Sequence, residues 1–120
     1  MSKTYSLFIG RWQPLHQGHK LLIRKVLDEG KSVLIACRLT GINEKNPFSY
    51  EERIKMFEDA FAYEMHSGKM KIIPIENIDA VCYGREVGYD IRKINLDKDI
   101  EEISGTKIRE EGKLWYIYLQ

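Results

Sequence analysis

Tyr5-Ser6-Leu7-Phe8-Ile9-Gly10-Arg11-Trp12-Gln13-Pro14-Leu15-His16-Gln17-Gly18-His19 reads as a buried strand, a tight loop holding Pro14, and the start of an amphipathic helix. A strand that passes through a short loop into a helix is the opening half of a βαβ unit. The helix N-terminus made this way carries free backbone N–H groups and the positive end of the helix dipole, which together favour an anion. His16 and His19, with Gly18 between them, put two imidazoles at that spot. The ligand this pattern points to is a nucleoside triphosphate.

Outward from that stretch, Leu22, Ile23, Val26 and Leu27 form an apolar stripe at helical spacing over about 18 to 29, and Gly30 is placed to end the helix. Ser32 to Leu39 is a short, nearly continuous apolar run, as expected of a parallel strand covered on both faces. Thr40 to Pro47 has turn composition and reads as an exposed loop near the active face. Ser49 with Glu52 makes a capping box, and Tyr50, Ile54, Phe57, Phe61 and Met65 continue at helical steps, so one helix is expected to end near Ser67-Gly68. Lys71 to Ile75 reads as a third strand in which Pro74 marks an edge or an end. Ala80 to Tyr83 is expected to be a fourth strand, Tyr89 to Leu96 a fifth, and Ser104 the cap of a last helix. Strands alternating with helices imply right-handed crossovers, a mostly parallel sheet flanked by helices, and a ligand beyond the carboxyl ends of the strands. The expected architecture is a single Rossmann-like α/β domain over 1–120.

Bulk properties narrow the choice. A chain of 120 residues with 43% hydrophobic content suits one domain. A formal net charge of +1 provides no basic field for nucleic acid, so any anion site must be built locally. Cys37 and Cys82 sit in apolar runs without metal-ligand spacing and read as reduced core residues. With no leader-like start and no apolar run near the roughly 20 residues of a bilayer span, the expectation is a soluble, cytoplasmic protein with no membrane partner.

His16-Gln17-Gly18-His19 resembles the H-x-G-H signature of the nucleotidyltransferases related to class I aminoacyl-tRNA synthetases, and Ile103-Ser104-Gly105-Thr106-Lys107-Ile108-Arg109 resembles their I-S-S-T-x-x-R signature. Gly10 to His19 and Asn46 to Ile54 resemble the G-R-F-Q-P-x-H-x-G-H and N-P-F-T-x-x-E-R-I segments of nicotinamide-mononucleotide adenylyltransferases of archaeal type. The resemblance implies transfer of a nucleotidyl group, with adenylyl from ATP preferred, to a small phosphorylated acceptor with release of pyrophosphate. Gly105 stands where serine or alanine is usual, which leaves the backbone amide in place. The segment Pro74 to Val81 lacks the tryptophan-bearing stretch that family places near the nicotinamide ring, so the acceptor stays open. A cytidylyltransferase using CTP and a phosphorylated alcohol is the nearest alternative, and a non-catalytic nucleotide-binding module is the competing class.

Such a transfer needs positioning and fixed donors where charge develops on the α-phosphate. His16 and His19 are the candidates for that role, while Lys107 and Arg109 are candidates for stabilising departing pyrophosphate. Ile9, Gly10, Arg11, Gly18, Arg85, Ser104, Gly105 and Thr106 complete the expected nucleotide contacts, Gly18 because a side chain there would stand between the rings and hold the phosphate away. Mg²⁺ is expected as cofactor, held mainly by phosphate oxygens and water and without a protein ligand set. Trp12 reads as a packing residue beside the site, the alternative being stacking on a ring of the ligand. Arg53 reads as an ordinary solvated helix charge, or else as support for the loop around Asn46, and His66 as a solvated helix end. The aromatic stretch Leu114 to Leu119 reads either as a contact surface for a homo-oligomer or as packing on the sheet.

Overall fold

The computed structural model describes residues 3–85 and 88–94. Six elements follow one another: β1 (Ser6–Gly10), α1 (Gln17–Asp28), β2 (Val33–Arg38), α2 (Tyr50–Ala60), α3 (Ala62–His66) and β3 (Met70–Ile75). The strands form a parallel sheet in the order β1-β2-β3, with Phe8 beside Ile35 and Ile35 beside Ile72. Both crossovers step in the same direction, and right-handed connections of that kind lay their helices on one face of the sheet. Phe8, Val33, Ile35, Cys37, Met70 and Ile72 meet Ile23, Val26, Met56, Phe57 and Phe61 in the core formed there. On the opposite face Leu7 is 54% exposed, Ile9 37% and Ile73 40%.

Local chemistry explains the boundaries. α1 ends on Glu29, after which Gly30 takes φ +82 and donates its N–H to the Leu27 carbonyl, a left-handed exit that an L side chain resists. α2 begins on the expected capping box: the Ser49 hydroxyl accepts from the Glu52 N–H, and the Glu52 carboxylate accepts from the Ser49 N–H, each at 3.1 Å. Pro74 lies in β3, an edge strand of the described sheet, as its missing donor requires.

Five expectations are corrected. The single helix over 49–67 is two, because Phe61 leaves helical geometry (φ −132, ψ 40) while its side chain stays in the core. Behind the break, Glu64 of α3 receives a hydrogen bond from Arg24 of α1 at 3.2 Å, and the Arg24 guanidinium lies over the Phe61 ring. Ala80 to Tyr83 forms no strand and is exposed, so Cys82 is a surface thiol while Cys37 alone is buried. From Tyr89, residues 89–94 are irregular too, tied down by two 2.9 Å bonds from Arg92 to the Glu29 carboxylate; 95 and 96 lie outside the described residues. Arg53, read as a solvated charge, is 1% exposed. No helix among the described residues is long and apolar enough to cross a membrane. The helix expected from Ser104 and the stretch Leu114 to Leu119 also lie outside the described residues.

Placing a β-carbon at Gly30 forces it into the left-handed region. Gly30→Ala is expected to cost about 1–2 kcal/mol, seen as a lower urea midpoint. Gly41→Ala, where an added β-carbon meets nothing within 4 Å, leaves the midpoint near the wild-type value.

Candidate active site

The site begins where β1 ends. Gly10 is needed there for its lack of a side chain: a β-carbon would come within 2.9 Å of the Trp12 ring, which lies against the strand. The chain then turns through Trp12 at φ +52, the only positive φ at a non-glycine among the described residues. The Trp12 indole N–H donates to the Ala36 carbonyl on β2 at 3.3 Å, and the ring meets His19 and Phe57 edge-on at 4.8 and 5.2 Å. At 6% exposure Trp12 is a packing residue. Gln13, also buried, donates from its amide nitrogen to the Phe48 carbonyl at 3.0 Å and accepts from the Phe48 N–H at 2.9 Å. That pair of bonds fastens the loop after β1 to the segment before α2.

His16 and His19 cap α1 reciprocally. The His16 Nδ1 accepts from the His19 N–H at 3.4 Å, and the His19 Nδ1 accepts from the His16 N–H at 3.3 Å. The rings stack at 3.6 Å between centroids and 17° between planes, with Gly18 buried in the same turn. Rings in direct contact leave no room between them, so a ligand phosphate would have to meet their edges instead. An imidazole whose Nδ1 accepts carries its proton on Nε2 when neutral, so both rings keep one N–H donor for a ligand. Burial, then the ammonium of Lys20, lowers the His16 pKa from 6.5 to about 4. Burial, then His16 itself, lowers that of His19 to about 3. Both are neutral donors at physiological pH.

The two helix starts differ in charge. Glu51 and Glu52 occupy the first turn of α2, whereas the first turn of α1 holds no acidic residue. The dipole of α2 is answered by its own carboxylates, and that of α1 is left for an outside anion. Beside it, Phe8, Ile9, Gly10, Arg11, Trp12, His19, Leu22 and Ile23 line a cavity of about 210 Å³. Pockets that enclose a small molecule run roughly 300–1,000 Å³, so this one has room for part of a nucleotide.

Of the residues singled out from the sequence, Ile9, Gly10, Arg11 and His19 line that cavity, while His16 stacks on His19 and Gly18 is buried in the same turn. Arg85 lines a different, open hollow with Tyr83 and Tyr89 that shares no residue with it. Ser104, Gly105, Thr106, Lys107 and Arg109 lie outside the described residues. Sequence reasoning passed over Lys20, whose adjacency to His19 was the available signal. It also passed over Gln13, and underrated Arg53. Arg53 donates to the carbonyls of Arg11 at 2.8 Å, Arg38 at 2.7 Å and Ser49 at 3.2 Å, and Arg11 in turn donates to the Asn46 side chain at 3.3 Å. Among the described residues no group of three His, Cys, Asp or Glu side chains is placed to hold a metal.

Residues 7–67 match the family described as Cytidylyltransferase-like. A nicotinamide-nucleotide adenylyltransferase from Methanococcus aeolicus is 30% identical over an alignment covering 88% of this chain and 75% of that protein. One from Pyrobaculum aerophilum is 28% identical, covering 88% and 74%. Among solved structures, a bifunctional NMN adenylyltransferase/ADP ribose pyrophosphatase from Francisella tularensis, in complex with AMP and manganese, shares 34% identity at a TM-score of 0.54. That match covers 63% of this chain and 23% of the larger protein.

Two outcomes follow from the geometry. Because the folded histidines resist protonation while the unfolded ones take protons near pH 6.5, stability is full above that value and is lost as pH falls through about 4 toward about 3. Urea midpoints at pH 7.5 and 4.5 measure the drop, and His16→Asn, which keeps a capping acceptor, is expected to shrink it. Gly10→Ala is expected to expel the Trp12 ring, seen as a red shift of tryptophan emission and weakened nucleotide binding.

Proposed function

The chain belongs to the cytidylyltransferase-like nucleotidyltransferase family, and from that premise we propose that it transfers AMP from ATP to nicotinamide mononucleotide and releases pyrophosphate. The observation that carries this reading is the α1 N-terminus: free of acid, capped by two neutral histidines, and opening on the cavity at the end of β1. The names of relatives that align over most of their own length support the choice of adenylyl and of this acceptor.

In the proposed reaction an acceptor phosphate oxygen attacks the α-phosphorus, the new P–O bond forms, and the bond to the β-phosphate oxygen breaks in line. No proton need be taken by the protein for this step, which suits imidazoles that are neutral donors. The Nε2 hydrogens of His16 and His19 and the α1 dipole would stabilise charge on the α-phosphate, with Arg11 approaching from the loop. Ser104, Gly105, Thr106, Lys107 and Arg109 are proposed to hold the β- and γ-phosphates, and Arg85 to touch phosphate or ribose. Magnesium, a hard cation that keeps oxygen ligands, would arrive on the triphosphate, since imidazole is a poor match for it. The place of work is proposed to be the cytoplasm. Homo-oligomer formation is proposed, with the aromatic stretch Leu114 to Leu119 as its contact surface.

Pyrophosphate release measured with each of the four common triphosphates, against nicotinamide mononucleotide and a phosphorylated alcohol, tests the reading. ATP with the mononucleotide is expected to turn over. Turnover of CTP with the alcohol would replace it by cytidylyl transfer, and nucleotide binding without any turnover by a binding module. His19→Ala is expected to lower kcat by about 10²–10³-fold while changing ATP affinity far less. The alkaline side of the pH profile is expected to show no histidine limb between about pH 6 and 8, because neither imidazole changes charge there.

A further inference from the structure

Arg53 is a cation of α2 sunk at the carboxyl end of the sheet, and among the described residues no carboxylate lies within ion-pair distance of it. Its hydrogens go to three carbonyls, Arg11 just beyond β1, Arg38 at the end of β2 and Ser49 at the start of its own helix, and the Tyr50 ring and the Cys37 thiol also face it. Removing a guanidinium from water without an anionic partner is costly unless its hydrogens are satisfied, and a planar fork suits several carbonyls at once where an ammonium does not. The two shortest of these bonds, 2.7 and 2.8 Å, come from one nitrogen and join the ends of β1 and β2.

We propose that Arg53 is the positioning residue of the Arg11–Trp12 loop, holding it in the one conformation that presents the loop to a triphosphate. This rests on the nucleotidyl-transfer reading above and adds to it a residue on an element that contributes no lining to the cavity. In a trans peptide the C=O and the following N–H point in opposite directions. With the Arg11 carbonyl captured by Arg53, the Trp12 N–H is turned away from α2, and Trp12 enters its positive φ with the ring over Gly10 and against His19. Releasing the Arg11 carbonyl frees that peptide to rotate, and the ring that braces His19 moves with it.

Arg53→Lys keeps the charge but loses the fork, and Lys55→Ala serves as the control, removing an exposed charge and its pair with Asp59 from the same helix without touching the carbonyl cluster. In Arg53→Lys, kcat is expected to fall about 10- to 100-fold, the scale at which small misplacements act, with the KM for ATP within about threefold. The Trp12 amide resonance should shift, and Lys55→Ala should keep wild-type kcat and the wild-type Trp12 resonance. Arg53→Lys that is folded at the assay temperature and turns over at the wild-type rate would overturn the proposal, as would an equal loss in Lys55→Ala. If Arg53→Lys does not fold, Arg53→Met, which fills the space without donors, is read in the same way.

Should the wild-type protein form no product with any pair, the functional reading fails and the positioning role is decided by inorganic pyrophosphate alone. Titrated pyrophosphate is then expected to move the wild-type Trp12 amide and to bind Arg53→Lys about tenfold more weakly. Equal binding by both proteins would sink it.

Discussion

Two crossed hydrogen bonds at the start of α1 govern this site. His16 and His19 each give their Nδ1 to the other's backbone N–H, so the groups that terminate the helix are also the groups that would meet a ligand. The exchange sets the ring orientation and the tautomer together. It leaves each Nε2 to carry the hydrogen and keeps the rings stacked. Burial then holds both rings neutral, because a charged imidazole would lose solvation and would face Lys20 or its own neighbour. A helix start built this way is an array of neutral donors at the positive end of a dipole, suited to charge that grows during a reaction.

That array is braced from the other crossover. Trp12 packs on Gly10 and His19, Gln13 pairs with both backbone groups of Phe48, and Arg53 gathers three carbonyls from separate segments. α2 therefore supports the loop after β1, and the same polar contacts bring the segment around Asn46 beside Arg11. Buried polar groups that are fully satisfied specify a single arrangement, since any shift leaves donors or acceptors unpaired away from water. The placement of Glu51 and Glu52 in α2 answers one helix dipole and leaves the α1 dipole without a carboxylate in its first turn.

Periodicity made β1, α1, β2, the start of α2 and β3 legible, each within a residue or two of its observed bounds, because these segments bury one face and their pattern records it. The Ser49 and Glu52 box was legible for a local reason, as a cap needs only its own turn. The break at Phe61 was not, since the helical steps continue through it and only packing behind the core shows that the chain must bend there. Ala80 to Tyr83 is apolar enough for a strand, yet a strand needs a neighbour, and here the run stays exposed and unpaired among the described residues. For Arg53, position in a helix says nothing about what lies opposite, and two carbonyls from distant segments, with one from its own helix start, accompany the burial of a surface-type residue.

The amino-acid order alone determined a strand, a loop and a helix start bearing two histidines on a parallel α/β sheet. These features rest on local spacing and on helix geometry, which neighbouring residues decide. Folding in three dimensions settled the charge state of the histidines, the use of Trp12 as a brace and the burial of Arg53. Those depend on desolvation and on contacts between segments far apart in the chain, and neither quantity is written in any short stretch of sequence.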